Sequence, residues 1–566
     1  MPAPRTIPAS QTPDVVTVSI RSEGQAIPQT VSVKEIQIRH EINKIPWARV
    51  RVEDGDQSKE DFEVSDQDLL VPGKHVEIQL GYRSGNNSLF KGIVIQHSNK
   101  IAPKKFELVI ECRDEAVKMT IGRHSKHYND VTDSDVAEEL IDRYGLDKDV
   151  ISTSIQYKDL VQYDTTDWDF MLSRIDRIGM ICVVSDGKVT VRKPDLTGNS
   201  ALDLLFGATI VDYYAEIDAR LQVKGITSAS WDYSNQEVKE TDASEPTINQ
   251  EPGNIANSDL ADVIGLESWR MVHSGKLQEE EQQAWADARL QKQRLAKIRG
   301  RVRFQGFPGL LPGQYVTLNG VGDRFNGPVF VNAVEHHYKE GDWHTEVSFG
   351  IQPEWFAETV NPYNPTASTG IMPVPEGLTI GVVTDLEDPD GEDRIRVKLP
   401  MVNAGEQGVW GRVATPDAGD NRGLFFRPEV GDEVLCGFIH HDPTQLVILG
   451  MLNSSNKPAP IKASSSNDEK GYTSREKLKF TFNDADKSII LETPAGKKIT
   501  LDENAGSIQI EDENNNKITM DSSGITLSSG SDLQIKGTSS VKIEAPNISI
   551  NGSAMMEVKG GLVKIN

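Results

Sequence analysis

The sequence predicts a mainly β, multidomain protein: a β-barrel head with a duplicated module and a few helices, a small closed barrel, and a C-terminal trimeric prism of short strands. Three observations predict it. Period-two alternation of apolar and polar residues dominates the first half. A Pro-Gly turn followed by a strand occurs twice, at Pro72-Gly73 and Pro312-Gly313. From Lys479 onward the chain becomes a run of apolar doublets, with no aromatic residue after Phe482.

Residues 1–13 form an N-terminal extension and 14–361 the head. Its strands are signalled by Val15–Ile20, Val31–Val33, Val76–Ile78 and Phe106–Ile110. Asp133–Tyr144 reads as a capped helix stopped by Gly145, and Asp167–Ile178 as a second stopped by Gly179. Residues 277–299 predict a long polar helix, and Arg301–Gly350 returns to β. The segment Pro72–Ile78 matches Pro312–Leu318, and Phe90-Lys-Gly92 is read as matching Phe325-Asn-Gly327. The expectation is a duplicated β module.

Residues 362–377 are a Pro-, Ser- and Thr-containing linker. Residues 378–455 hold five strand signals: Leu378–Leu386, Arg394–Leu399, Gly408–Ala414, Glu433–Ile439 and Leu446–Leu452. That number and spacing predict an OB-fold barrel. Such barrels often bind single-stranded nucleic acid. Here acidic residues outnumber basic ones about two to one, which makes this barrel structural. Residues 456–478 read as a polar connector.

In residues 479–566 apolar pairs recur every seven to ten residues. They are Ile499/Leu501, Ile508/Ile510, Ile518/Met520, Ile525/Leu527, Leu533/Ile535, Val541/Ile543, Ile548/Ile550, Met556/Val558 and Val563/Ile565. A single chain with two inward residues per strand buries little. Three chains close a prism whose core these residues form, and that leaves no open edge along it. At the far end, Leu562, Val563, Lys564, Ile565 and Asn566 present an edge and a small apolar triangle suited to a separate capping protein.

Composition excludes other classes. The 566 residues carry a net charge of -25, which argues against nucleic acid and anionic membranes as partners. No apolar run is long enough to span a bilayer, and Met1–Arg5 does not open a secretory signal. Cys112, Cys182 and Cys436 are too few and scattered for a disulfide framework or zinc site. No cofactor and no catalytic constellation is expected. The histidine clusters fail as metal sites: His440-His441 and His336-His337 alternate faces on strands, and His124-x-x-His127 falls in an expected loop without supporting ligands. Asp388–Asp393 lacks the spacing of a calcium loop and reads as a turn.

Several stretches resemble a known family. Gly411–Gly419, Phe426–Val434, Asp442-Pro443, Val447–Leu452 and Leu491–Leu501 look like the barrel and prism start of VgrG-type spikes of contractile injection systems. Gln162-Tyr163 with Thr166–Phe170 resembles that family's head signature. The wording of His440–Pro443 and Lys470–Arg475 is most similar to spikes of extracellular injection systems. The resemblance implies tube-like β modules in the head and a triple-stranded β-helix at the C-terminus. It implies a homotrimer that seats on a hexameric inner-tube protein, meets baseplate proteins, carries a PAAR-type tip protein and possible effector cargo, and acts as a membrane-piercing needle. It further implies synthesis in a bacterial cytoplasm and assembly into the injection particle. Type VI secretion spikes and phage hub–spike proteins share this order. A second reading is a trimeric tail fibre or adhesin that binds or processes glycans; the aromatic-free prism disfavours it.

Overall fold

In the computed structural model the described residues are 15–565, excluding 84, 104, 233–234, 249–250, 274–275, 360–376, 403–406 and 440–444. The expected linker, except its last residue Gly377, and the His440–Asp442 cluster lie outside them. The chain divides into two compact units, Met1–Thr369 and Gly370–Asn566.

The first unit is built on one large sheet. Its strands in chain order are β1 (Val16–Ser22), β2 (Ser32–Glu41), β3 (Trp47–Glu53), β4 (His75–Tyr82), β5 (Gly85–Ala102), β6 (Lys105–Arg113), β7 (Ser200–Leu205), β8 (Ile210–Ile217), β9 (Ile298–Gln305), β10 (Tyr315–Asn319), β11 (Gly327–Lys339) and β12 (Asp342–Phe349). The first module runs β2-β3-β6-β5-β4-β1. The second runs β8-β9-β12-β11-β10-β7. An antiparallel pairing of β11 with β2 joins them, with Ala333 opposite Glu41 and Lys339 opposite Glu35.

The duplication is visible in the hydrogen bonds. In the first module the Gly73 N–H donates to the Val94 carbonyl and the Val94 N–H to the Lys74 carbonyl, both at 2.9 Å. In the second, Gly313 donates to Val331 and Val331 to Gln314, both at 2.8 Å. Gly73 and Gly313 hold φ of 98° and 85°, a region that a Cβ disfavours, so the Pro-Gly turn repeats for a backbone reason. The bulges repeat too. β5 slips against β6 between Val94 and Gln96, and β11 against β12 between Val331 and Ala333. β2 slips against β3 between Val33 and Glu35, and β8 against β9 between Ile210 and Asp212. One element of the sequence repeat is corrected. Val76 faces Gly92 where Val316 faces Val329, so Phe90-Lys-Gly92 corresponds to Gly327-Pro-Val329, and the Phe325 match is coincidental.

Alternation fills each module's core. Ile36, Ile38, Val50, Ile78, Leu80 and Leu108 are buried in the first, and Val302, Phe304, Val316, Leu318 and Val347 in the second. Trp343 of β12 crosses into the first core. The close approach leaves no room for a side chain at Gly306, where a Cβ would meet Trp343 at 2.1 Å.

Three of the described helices pack chiefly against the smaller sheets of the head. α1 (Asp133–Asp142) is capped by the Thr132 hydroxyl, which accepts from Asp135 N–H, and α2 (Asp167–Asp176) by Thr166, which accepts from Asp169 N–H. Gly179 follows α2 with φ of 76°. α3 is shorter than the 277–299 expected, Glu279–Leu295, because Ile298 already belongs to β9. Its polarity is absorbed inside the protein. Gln282 bonds the Ser228 and Lys239 carbonyls, and the Lys292 ammonium donates to both Asp176 oxygens at 2.7 and 2.9 Å. The His124–His127 stretch lies on a strand, His124–Thr132, paired with Gln156–Thr165, and not in a loop.

In the second unit β13 (Thr379–Asp385), β14 (Ile395–Lys398), β15 (Val409–Val413), β16 (Glu433–Phe438) and β17 (Leu446–Met451) form a closed barrel, ordered β13-β14-β15-β17-β16. Val383, Ile395, Val397, Val434, Cys436, Leu446 and Ile448 fill it. A seven-stranded antiparallel meander follows: β18 (Glu469–Thr473), β19 (Lys479–Asn483), β20 (Ser488–Glu492), β21 (Lys498–Asp502), β22 (Ser507–Glu511), β23 (Lys517–Asp521) and β24 (Gly524–Ser528). It begins at Glu469, inside the stretch expected to be connector.

Candidate assembly site

The meander has two chemically distinct faces. Direct cross-strand pairs are Phe480/Leu491, Leu491/Ile499, Ile499/Ile510, Ile510/Ile518 and Ile518/Leu527 in one column. Phe482/Ile489, Ile489/Leu501, Leu501/Ile508, Ile508/Met520 and Met520/Ile525 make the second. Period-two alternation puts both columns on one face. The structure therefore brings together Ile499, Leu501, Ile508, Ile510, Ile518, Ile525 and Leu527, and adds Ile489 and Leu491. Another column pairs Lys479, Glu492, Lys498, Glu511 and Lys517 in alternating charge, which fixes register.

The apolar face is open in the single chain: Leu501, Ile510 and Leu527 are 41%, 41% and 53% exposed. A continuous apolar face of this kind marks an interaction surface. Past Ser528 no strand is assigned among the described residues, and Leu533, Ile535, Val541, Ile543, Ile548 and Ile550 are exposed. Within the chain they are not brought onto a shared sheet. Of the residues expected to meet a capping protein, Leu562, Val563 and Ile565 are exposed, Ile565 at 91%; Lys564 is exposed as well, and Asn566 lies outside the described residues.

At the join between barrel and meander, Phe426 packs on Tyr472 with ring centres 4.7 Å apart, and the Arg475 guanidinium meets Glu429 at 2.9 Å. The acidic 388–393 loop is closed on itself. Arg394 donates to both Asp388 oxygens, at 2.7 and 2.8 Å, and holds that carboxyl well below the usual carboxylate range. Among the described residues no cluster of His, Cys, Asp and Glu is arranged to hold a metal ion.

The stretch singled out in the head is a folding device. Buried Asp167 accepts from Arg143 at 2.7 Å, Tyr144 at 2.9 Å and Gln162 at 2.7 Å, while Trp168 and Phe170 enter the core. At the join of the modules sit two buried histidines that sequence reasoning did not connect. His336 bonds the Thr345 hydroxyl at 3.1 Å, and His40 the Leu89 carbonyl at 3.0 Å. Burial pushes the His336 pKa down to about 3 and lowers that of His40. The sequence marks His336 only beside His337 and gives nothing that links it to His40, because β2 and β11 are distant in the chain.

A family model described as the Alg8 N-terminal domain matches residues 12–340, more than half of the chain. The chain belongs to the Alg8 N-terminal domain family. That match ends at residue 340, just past β11 and short of β12. A second model, the type VI secretion system/phage-baseplate injector OB domain, matches residues 379–452, and a third, the phage baseplate V C-terminal trimerisation domain, matches 488–556. The closed barrel thus coincides with the injector OB-domain match, and β20 to β24 of the meander lie within the trimerisation-domain match, which supports a structural baseplate or spike role. The trimerisation match supports a homotrimer. No curated protein matches in sequence. Among solved structures, a tail protein from Neisseria meningitidis is 14% identical, covering 60% of this chain and 98% of its own, with a TM-score of 0.45. A type VI secretion component from E. coli is 12% identical over 76% and 99%, with a TM-score of 0.38. A Francisella PdpA–VgrG complex is 9% identical over 92% and 89%, with a TM-score of 0.39.

Proposed function

We propose that this protein is the non-enzymatic hub and spike of a contractile injection machine. It joins a hexameric inner tube to a trimeric needle and carries a small PAAR-type tip protein. The observation that carries this reading is the repeated module. Two equivalent six-stranded modules per chain, in a homotrimer, present six, which matches the symmetry of a hexameric ring. In this reading residues 14–361 form the hub, 378–455 the spacer barrel and 479–566 the needle. Baseplate proteins surround the hub, and effector cargo travels with it. Cosedimentation with purified tube rings tests it: the full-length protein is expected to decorate one tube end only. Failure to bind tube ends overturns the joining role.

The needle core is formed by the two apolar columns and by the doublets that continue past Ser528. Fully burying one such side chain contributes about 1.5–3 kcal/mol, repeated three times per layer. Ile543→Asp places three carboxylates in one layer and is expected to abolish resistance of the trimer to SDS and heat. Lys542→Asp, on the opposite face, is expected to leave it intact. Deleting 562–566 is expected to abolish capture of the tip protein while the trimer persists.

A further inference from the structure

Among the described residues His40 and His336 are the only buried histidines, 4% and 3% exposed. Both sit on the one ladder that joins the modules inside the chain. His40 comes from β2 of the first module and His336 from β11 of the second. His40 lies opposite Val334 and His336 opposite Ile38, so the two rings are diagonal neighbours on the core face of this closed join. Val334 and Ile38 are fully buried beside them.

We infer that this join is an acid-released latch: as the two rings take up protons, β11 separates from β2 while each module keeps its own fold. In the neutral state both rings fit. The Leu89 carbonyl accepts from His40 Nε2 at 3.0 Å, and His336 Nδ1 meets the Thr345 hydroxyl at 3.1 Å. That hydroxyl is the one hydrogen-bond partner of the His336 ring among the described residues, so a second ring proton would be buried without an acceptor. Two charges would also face each other on the diagonal, both cut off from water. Separating the strands hydrates the rings and removes both costs, so proton binding favours the open join.

The groups around the pair set the sign. Burial lowers the pKa of His40 and outweighs Asp114 and Asp186, which favour its charged form. Of the charged groups among the described residues only His40 acts on His336, and it acts in the same direction as burial. The phenols of Tyr82 and Tyr338 share the first core. On the outer face of the ladder Arg39 meets Glu335 at 2.9 Å and His337 meets Glu35 at 3.0 Å. Charging His337 tightens its contact with Glu35 and opposes release, but both pairs are partly exposed to solvent and contribute little. One further contact belongs to the latch. Trp343 of β12 lies in the first core, its ring centre 6.0 Å from that of His336 and 5.3 Å from that of Tyr82. Release therefore withdraws Trp343 from the first core and bares the facing edges of β2 and β11.

Hydrogen exchange of the full-length protein tests this, read as protection factors corrected for the intrinsic pH dependence of exchange. A His336 that titrates at about 3 in the closed join and near 6.5 in the open one favours opening roughly 25-fold more at pH 5 than at pH 7, and His40 adds to that. Amides of 35–41 and 333–339 that bond across the join are expected to lose protection by at least that factor. Amides of 108–112 and 300–304, in the two module cores, are expected to lose several-fold less. His336→Gln is expected to remove most of the loss at the join, and His127→Gln, at an exposed ring, to leave it unchanged. An equal loss across the whole head overturns the latch and assigns acid sensitivity to the fold at large. No loss at the join, or the same loss in His336→Gln as in the unaltered protein, overturns it as well. If His336→Gln does not fold by circular dichroism, His40→Gln is read by the same criteria.

Discussion

In the first module β2 and β3 are linked by the short turn 42–46; in the second, their equivalents β8 and β9 are separated by residues 218–297, whose described part holds the helix Asn257–Ile264, α3 and a small sheet of Ile226–Asp232, Glu237–Asp242 and Trp269–His273. β1 runs antiparallel to β4, whereas β7 runs parallel to β10. The two bulges and the Pro-Gly hydrogen bonds survive these differences. The contrast separates what a duplicated fold must keep from what it is free to change. Backbone geometry at a left-handed glycine and at a ladder slip has few alternatives. Core side chains need only be apolar and the right size, and connections on the surface tolerate long insertions.

The contrast can be broken most sharply at equivalent positions of β11, which pairs on both sides, and of β5, whose residues 96–102 pair only with β6 among the described residues. Val334→Asp buries a carboxylate in the closed join and is expected to cost the head about 3–5 kcal/mol, enough to lower its melting temperature strongly. His97→Asp, at the equivalent position of β5, removes a half-buried ring that touches the Ser65 hydroxyl and the Leu70 carbonyl and is expected to cost clearly less. Equal losses in thermal melts would show that the two edges do not differ.

Next come the turns. Gly73→Ala and Gly313→Ala each force a Cβ into a left-handed conformation, and about 1–2 kcal/mol is expected for each. Space is not the limit: a Cβ at Gly73 meets nothing within 4 Å, and at Gly313 its nearest neighbour is Ile181 at 3.5 Å. Matching losses in denaturant titrations would confirm equivalence, and a marked inequality would say that the turns carry different loads.

The smallest effect is a pH slope. His336 titrates at about 3 in the folded head and near 6.5 when unfolded. Below about pH 6.5 the unfolded chain therefore binds more protons, and stability falls with pH until the folded value is reached. His40 acts in the same direction, moderated by Asp114 and Asp186, which favour its charged form. Asp114 and Asp133 are raised by burial and act oppositely at lower pH, so the slope is read between pH 7 and 5. His336→Gln is expected to flatten it; an unchanged slope assigns the effect elsewhere.

Much of this was legible in the sequence because it is local. The five barrel strands stand within a residue or two of their signals, and the doublets mark the meander through Leu527. The helices at Asp133 and Asp167 follow from their caps. What was not legible is long-range. The β11–β2 pairing, the buried His40 and His336, and the ion pair of Lys292 with Asp176 join residues far apart in the chain. The Phe90/Phe325 match failed because a shared dipeptide carries no register. Beyond Ser528 no strand is assigned among the described residues, so the pairing of those doublets is not read from one chain.

The central claim is that two modules per chain become six by trimerisation. Light scattering of the purified full-length protein tests it most directly. The account predicts a single species of three times 62.5 kDa; a folded species at 62.5 kDa, persisting at high concentration, would contradict it.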